Sequence, residues 1–331
     1  MSQTKTSGAT WVGWIISVLL IAGSIALWTQ RQYVVDAIQY HQYEPTNAVV
    51  SIVDDAGLTD DAIFTFYATH PAVESSAAFN RHCERKEADS PILGCYAANR
   101  IYIFDVTDER LDGLKVVTAA HELLHAEYDR LSDTEKAKLD PLLKASYTPG
   151  ADEKLDARMK YYEKTEPGQS LNELHSIIGT EFQTVSPELE SHYKRYFKDR
   201  QALVRLQQQV EATFATLSKE ADRLVARIET LATQINSDTD QYNQDIAALN
   251  VAVDSFNARA SRQGGFTTQS EFEAARQDLL NKSGALSAFR QQIQGNIAEY
   301  KTLLARLESI NSESNSLNKS LDSTLQDVPT I

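Results

Sequence analysis

Two histidines and a glutamate in one helix-forming stretch are the residues of this chain best spaced for chemistry. Residues 115–132 read KVVTAAHELLHAEYDRLS, and within them His121 and His125 are four apart, with Glu122 directly after the first. Residues four apart lie on one face of an α-helix, so both imidazoles can bind a single metal ion. A zinc ion held in this way keeps an open position for water, and Glu122 is placed to accept a proton as a general base.

The same pattern also arises by chance in a surface helix whose two histidines and glutamate are merely solvated. The context favours a metal site, because the motif lies in a half-apolar helical stretch and follows a strand-like run at residues 100–106. Five apolar residues are expected to bury this helix against a core: Val116, Val117, Ala120, Leu123 and Leu124.

At these residues the sequence resembles the zincin metallopeptidases, and more narrowly the branch whose third zinc ligand is a glutamate. Residues 172–176, NELHS, are similar to the NExxS segment of that branch. The resemblance implies a mostly helical α+β zincin-like domain, zinc as cofactor, a protein or peptide substrate, and Glu173 as the third ligand. It also implies that residues 102–106 form a sheet edge along which an extended peptide can pair.

Glu181 is the rival third ligand, because it lies eight residues after Glu173 on roughly the same helical face. Two helical turns rise about 11 Å, so both carboxylates cannot reach one ion. The NExxS resemblance favours Glu173, and Gly179 loosens the helix just before Glu181. The aspartate that the family has after the serine is Ile177 here, which leaves open what supports the Glu173 carboxylate.

Other residues are candidates for supporting roles in the same chemistry. Asp129, one turn after His125, is expected to orient a metal ligand without touching the metal. Three residues are candidates for stabilising an oxyanion: His175, Tyr161 and Tyr162.

The composition limits the class of protein. The 331 residues are 42% hydrophobic and 24% charged, which suits one good-sized globular domain plus a further region. The net charge is −14, and no stretch concentrates Lys and Arg with interleaved aromatic residues, so nucleic acid is not an expected partner. Cys83 and Cys95 flank a polar loop outside any metal-binding pattern. They predict a disulfide, with two free buried thiols as the alternative.

Residues 11–28 run for eighteen positions without a charge and carry all three tryptophans near their ends. A helix of this length spans about 27 Å, close to the hydrocarbon thickness of a bilayer, and the aromatic ends suit its two interfaces. A buried core helix and a cleaved signal peptide are the alternatives. The stretch predicts a single-pass anchor in the lipid bilayer, and the expected disulfide then places the catalytic domain on the extracytoplasmic side.

The composition changes from about residue 196, where Gln, Ser, Asn and Leu become frequent. Apolar residues alternate three and four apart over residues 210–235 and recur every seven over residues 279–307, on either side of Gly264 and Gly265. This pattern predicts an antiparallel coiled-coil hairpin, which is typical of a scaffold or of a surface that binds a protein partner.

The predicted organisation has six segments: a tail at 1–10, a transmembrane helix at 11–28, a juxtamembrane stalk at 29–45, a zincin-like metallopeptidase domain at 46–195, the coiled-coil hairpin at 196–325 and a tail at 326–331. The first hypothesis for function is a membrane-anchored zinc metallopeptidase. The alternative is an envelope scaffold that acts through the hairpin and has a structural or degenerate zinc site. Zinc content, and cleavage of an unstructured protein with and without a chelator, would distinguish the two.

Overall fold

The computed structural model describes residues 8–83, 92–150, 152–165 and 167–324. This part of the chain is mostly helical, with one three-stranded sheet, and it divides into two compact units. The first unit holds the described residues up to Thr213 and those from Leu317 onward, and the second is Phe214–Ser316. The predicted tail 326–331 and residues 1–7 of the predicted N-terminal tail lie outside the described residues.

The helices and strands follow one another in this order: α1 (Gly8–Thr29), α2 (Arg31–Gln42), α3 (Asn47–Ala56), α4 (Asp60–Ala68), β1 (Ala72–Glu74), α5 (Ser76–His82), β2 (Gly94–Ala97), β3 (Arg100–Phe104), α6 (Asp112–Arg130), α7 (Asp133–Ser146), α8 (Glu153–Thr165), α9 (Ser170–Glu181), α10 (Pro187–Tyr193), α11 (Arg200–Ala260) and α12 (Gln269–Leu321). Helix α6 carries the HELLH motif.

The apolar N-terminal stretch forms α1, but the prediction of a membrane anchor is wrong. A helix that spans a bilayer needs about 20 consecutive, predominantly apolar residues. Among the helices that the structure describes, none combines the length and the apolarity of a membrane span. The predictions of a bilayer contact through residues 11–28 and of an extracytoplasmic catalytic domain both depended on this anchor, so they lose their basis as well.

Helix α2, which lies within the predicted stalk, packs against α4 in the first unit. The ring of Tyr40 lies 5.3 Å from that of Phe64 and 6.2 Å from that of Tyr67. On α2, the buried Asp36 accepts hydrogen bonds of 2.9 and 2.8 Å from the guanidinium of Arg130. This long-range ion pair ties α2 to the last turn of the motif helix.

Strand β3 lies in the centre of the sheet, whose order is β1-β3-β2. On one side Ala72 of β1 pairs with Tyr102 in parallel, and on the other Cys95 of β2 pairs with the same residue in antiparallel. Because both sides of β3 already have strand partners, the prediction that residues 102–106 form a free edge is wrong. Among the described strands β2 is an edge strand, and it packs against α6.

The disulfide prediction is confirmed. Cys83, which follows α5, is bonded to Cys95 in β2, and their Cα atoms are 5.8 Å apart. The bond therefore fixes the edge strand to the end of α5.

The motif helix is buried on its apolar side, as expected. All five apolar residues named above are buried, with exposures between 0% and 6%. Helix α9 packs directly against α6, and Gly179 permits this close approach, because a Cβ there would collide with the side chains of Leu124 and Tyr193.

The ends of the two long helices belong to the first unit. Arg200, the first residue of α11, is buried and donates hydrogen bonds to the Glu190 carboxylate at 3.0 and 2.8 Å. Leu203 and Val204 are buried one turn later. After α12, the Ser323 carbonyl is buried and accepts hydrogen bonds from the side chains of Ser76 and Asn80.

The second unit consists of α11 from Phe214 to its end and of α12 up to Ser316, joined by a turn. The Tyr242 ring lies 6.4 Å from that of Phe289, and the Phe256 ring lies 5.3 Å from that of Phe272. Residues further along α11 therefore contact residues nearer the start of α12. The two helices run antiparallel. The apolar residues of their central contact are Leu217, Ala221, Leu224, Ile228, Tyr300, Leu303, Leu307 and Ile310.

Candidate metal centre

Two packed helices bring three potential metal ligands together. Helix α6 contributes His121 and His125, and α9 contributes Glu173. One donor atom from each of these residues lies within 4.8 Å of the other two. Within the described residues, no other group of three His, Cys, Asp or Glu side chains meets the same distance limit.

The Glu173 carboxylate lies across both imidazoles. Its Oε1 is 3.5 Å from His121 Nε2, and its Oε2 is 3.3 Å from His125 Nε2. The Glu173 side chain is only 3% exposed, whereas each histidine side chain is 17% exposed. A metal ion among these atoms would thus have a buried carboxylate on one side and two partly accessible imidazoles.

The charges of these groups depend on one another. Burial alone would raise the pKa of the Glu173 carboxyl, but the two imidazoles more than offset it, and this pKa falls well below its usual range. Burial disfavours the charged form of His125, yet the Glu173 carboxylate outweighs that effect, and the pKa of His125 rises to about 9. A metal ion bound at these atoms would have to displace the proton that His125 holds toward Glu173.

A chain of hydrogen bonds orients His125. Its Nδ1 lies 3.0 Å from Asn172 Oδ1, and Asn172 Nδ2 donates to Asp129 Oδ1 at 3.2 Å. An amide oxygen only accepts hydrogen bonds, so His125 carries a proton on Nδ1 and turns Nε2 toward Glu173. Asp129 is thus connected to His125 through Asn172.

The structure separates the two candidate glutamates. Glu173 is in the three-residue group, whereas Glu181 accepts hydrogen bonds of 2.9 and 3.0 Å from Arg158 Nη1. A second nitrogen of this arginine, Nη2, lies 3.6 Å from Glu173 Oε1. Sequence reasoning missed Arg158, because a lone arginine on the charged helix α8 resembles any solvated residue.

Glu122 lies beside the histidines in a buried position, with 7% of its surface exposed. Burial raises the pKa of its carboxyl, although the two histidines and a backbone hydrogen bond at Tyr96 oppose the rise. The side chain also packs against β2 at Gly94, where an added Cβ would lie 2.8 Å from Glu122 Oε1. The general-base candidate therefore lies on α6 with the two histidines and contacts the edge strand.

The three candidates for oxyanion stabilisation lie in different environments. His175 is fully buried, and its ring nitrogens contact Leu124 O at 3.2 Å and His192 Nε2 at 2.9 Å, so it is engaged within the core. The Tyr161 hydroxyl is buried, and in the described part of the chain it has no hydrogen-bond partner. Tyr162 packs against Tyr161, with ring centroids 5.5 Å apart.

Comparison with protein families, with curated proteins and with solved structures finds no match to this chain.

Proposed function

We propose that the first unit is a zinc-dependent metallopeptidase of the glutamate-zincin type. The observation that carries this proposal is the convergence of His121, His125 and Glu173, with Glu122 buried beside them. Two imidazoles and one carboxylate with a position left for solvent form the ligand set of a catalytic zinc site.

The donor atoms fit a metal ion. Within the described residues, the buried Glu173 Oε1 has no hydrogen-bond partner, which is costly for a carboxylate unless a cation compensates it. The Asn172 hydrogen bond leaves His125 Nε2 to act as a ligand. A ligand set of two nitrogens and a carboxylate suits zinc better than it suits calcium or magnesium, which prefer sites made only of oxygen atoms. Bound zinc supplies Lewis-acid polarisation of a scissile carbonyl and lowers the pKa of water.

Glu122 is the general base in this proposal. A base is most effective when its pKa approaches the working pH, and burial moves the Glu122 pKa upward, toward neutrality. Its carboxylate accepts the proton from water and then returns it to the leaving amine. The contacts with Gly94 and Tyr96 restrict the movement of the carboxylate while it does so.

The position of β2 supports an extended peptide as the substrate. An edge strand can pair with a peptide through main-chain hydrogen bonds, which recognise a backbone irrespective of its sequence. β2 is an edge among the described strands, it contacts the general base, and the disulfide anchors it. β2 thus takes over the role that the resemblance implied for residues 102–106.

The test is the variant Glu122→Gln in the full chain. It should bind zinc at one equivalent but cleave an unstructured protein about 10²–10⁴-fold more slowly, because the shape of the side chain remains while the base is lost. Zinc content is measured by elemental analysis, and cleavage with and without a chelator. The matched control is Glu188→Gln, an exposed glutamate on α10. Unchanged turnover in Glu122→Gln, or chelator-resistant cleavage by the wild type, would contradict the proposal.

A second function, binding of a protein partner, is favoured by the surface of the second unit. We propose that its two helices form the antiparallel coiled coil that the heptads predict, with a partner on the outer face. Val251 is 66% and Leu280 50% exposed, so both apolar side chains are accessible to a partner. Substitution of both by glutamine should leave zinc content and cleavage unchanged. A loss of either would mean that these residues serve the first unit instead.

A further inference from the structure

Arg158 lies between two carboxylates of the neighbouring helix. From α8 it reaches across to α9, where its Nη1 donates to both oxygens of Glu181 and its Nη2 lies 3.6 Å from Glu173 Oε1. Both hydrogen bonds come from Nη1, so they hold the guanidinium beside Glu181 and limit the directions in which its other N–H groups can point.

The buried Glu173 carboxylate requires a neighbouring group that orients it. The carboxylate is almost fully buried, and its Oε1 lacks a hydrogen-bond partner in the described part of the chain. Asn172 is engaged with His125 and Asp129, and Ile177 can offer no hydrogen bond from its side chain. Among the ion pairs that the described residues form with Glu173, the pair with Arg158 is the only one that does not depend on the protonation of a histidine.

We infer that Arg158 is a positioning residue for the metal ligand Glu173, and that Glu181 anchors Arg158. This inference rests on the metal site of the proposed function and explains how its third ligand is supported. With the guanidinium in place, rotation of the Glu173 carboxyl group away from the imidazoles loses an ion pair in which the carboxylate is buried and the arginine side chain is 38% exposed. Loss of a partner that orients a ligand typically weakens metal binding about 10–100-fold.

The experiment measures cobalt binding to the full chain by competition with a chromophoric chelator, together with the visible absorption of the bound cobalt. Arg158→Gln should bind cobalt about 10–100-fold more weakly and alter the absorption bands, because the ligand geometry relaxes. Glu181→Gln should give a smaller loss, since the arginine remains but is no longer fixed. The double variant should bind no more weakly than Arg158→Gln, because Glu181 acts only through Arg158.

The matched control is Arg205→Gln, which removes an arginine from an exposed ion pair with Asp199 in the same unit and should leave cobalt binding unchanged. Circular dichroism checks that each variant is folded. If Arg158→Gln does not fold, Glu181→Gln decides the matter, since it keeps the arginine and removes only its anchor.

Three results would overturn the inference. These are wild-type or tighter cobalt binding by a folded Arg158→Gln, unchanged binding by Glu181→Gln, and losses in the two single variants that multiply in the double variant. A wild type that binds cobalt but cleaves no peptide would end the peptidase proposal without affecting the role of Arg158. A wild type that binds no cobalt would overturn both.

Discussion

The two compact units of this chain differ in how far they bury the side chains of their ion pairs. In the first unit, Asp36 and Arg130 are 94 positions apart in sequence, and their side chains are only 6% and 11% exposed. In the second, Arg223 pairs with Glu220 three residues earlier on the same helix, and the arginine side chain is 68% exposed. The first unit thus contains charges that tertiary structure brings together and buries, whereas the ion pairs of the second unit are exposed, both within one helix and between its two helices.

This difference reflects what each arrangement costs and permits. A buried charge destabilises a fold by several kcal/mol unless its partners satisfy it, whereas an exposed helical pair contributes about 0.3–0.5 kcal/mol. Burial also strengthens electrostatic interactions and shifts pKa values, as at Glu122 and Glu173. The first unit therefore has the environment that catalysis requires, and the second has length and an accessible surface.

The largest effect should follow from truncating the chain near residue 196, where the sequence alone suggests the boundary between the zincin-like domain and the hairpin. A chain that ends at residue 198 loses Leu203 and Val204, each worth about 1.5–3 kcal/mol of buried apolar surface, and leaves Glu190 without the Arg200 guanidinium. We expect it to lose cooperative thermal unfolding and zinc binding. Circular dichroism and elemental analysis measure both.

The control for this truncation replaces residues 214–316 by a flexible linker, which keeps all the described residues of the first unit. It should unfold cooperatively and bind zinc, and residues 214–316 alone should be helical by circular dichroism. A stable, zinc-binding chain that ends at 198 would show that the start of α11 is dispensable, and the two units would then need a different boundary.

The next effect separates the two glutamates of α9. Glu173→Ala should weaken zinc binding by more than the roughly 10–100-fold that loss of a supporting residue costs, because a direct ligand is removed. Glu181→Ala should cost less than about tenfold, because it affects the metal only through Arg158. Competition with a chelator measures both affinities. The reverse order would make Glu181 the ligand and Glu173 its support.

Local periodicity was sufficient to predict the parts of this fold that are local. The four-residue spacing placed His121 and His125 on one face of α6, and the heptads predicted two long helices. Both features repeat within a few turns of helix, so they can be read without knowing what the helix packs against.

Features that depend on tertiary contacts could not be predicted in the same way. The central position of β3 depends on β1, a strand of three residues that has no distinctive pattern. The contacts of Arg158 with Glu173 and Glu181 depend on how α8 meets α9. The uninterrupted apolar run in α1 also misled, because an uncharged stretch of that length predicts a membrane span that the structure does not support.

A smaller effect should come from the disulfide. Cys83 and Cys95 should resist alkylation until a reductant is added, and replacing both with serine should lower the free energy of unfolding of the first unit by about 2–4 kcal/mol. The melting of residues 214–316 as a separate chain, which contains neither cysteine, provides the reference. Quantitative labelling of both thiols in unreduced protein would contradict the bond.

The smallest effect is the dependence of stability on pH, and it again contrasts a pair of side chains in the core with the solvated ion pairs. His192 on α10 shares a hydrogen bond with His175, and burial together with the nearby Arg195 guanidinium lowers its pKa to about 4, although Glu135 opposes the shift. The unfolded chain, with an ordinary histidine pKa of about 6.5, then binds more protons than the folded one between pH 6.5 and 4. This contribution to stability is complete above pH 6.5 and decreases as the pH falls.

Because His192 is partly exposed, we expect a loss of about 1–2 kcal/mol by pH 4. Urea unfolding of the wild type and of His192→Gln across this range of pH measures the contribution of His192 together with that of His175, whose pKa His192 also lowers. Equal pH dependence in the two proteins would mean that burial and the Arg195 guanidinium do not hold His192 neutral.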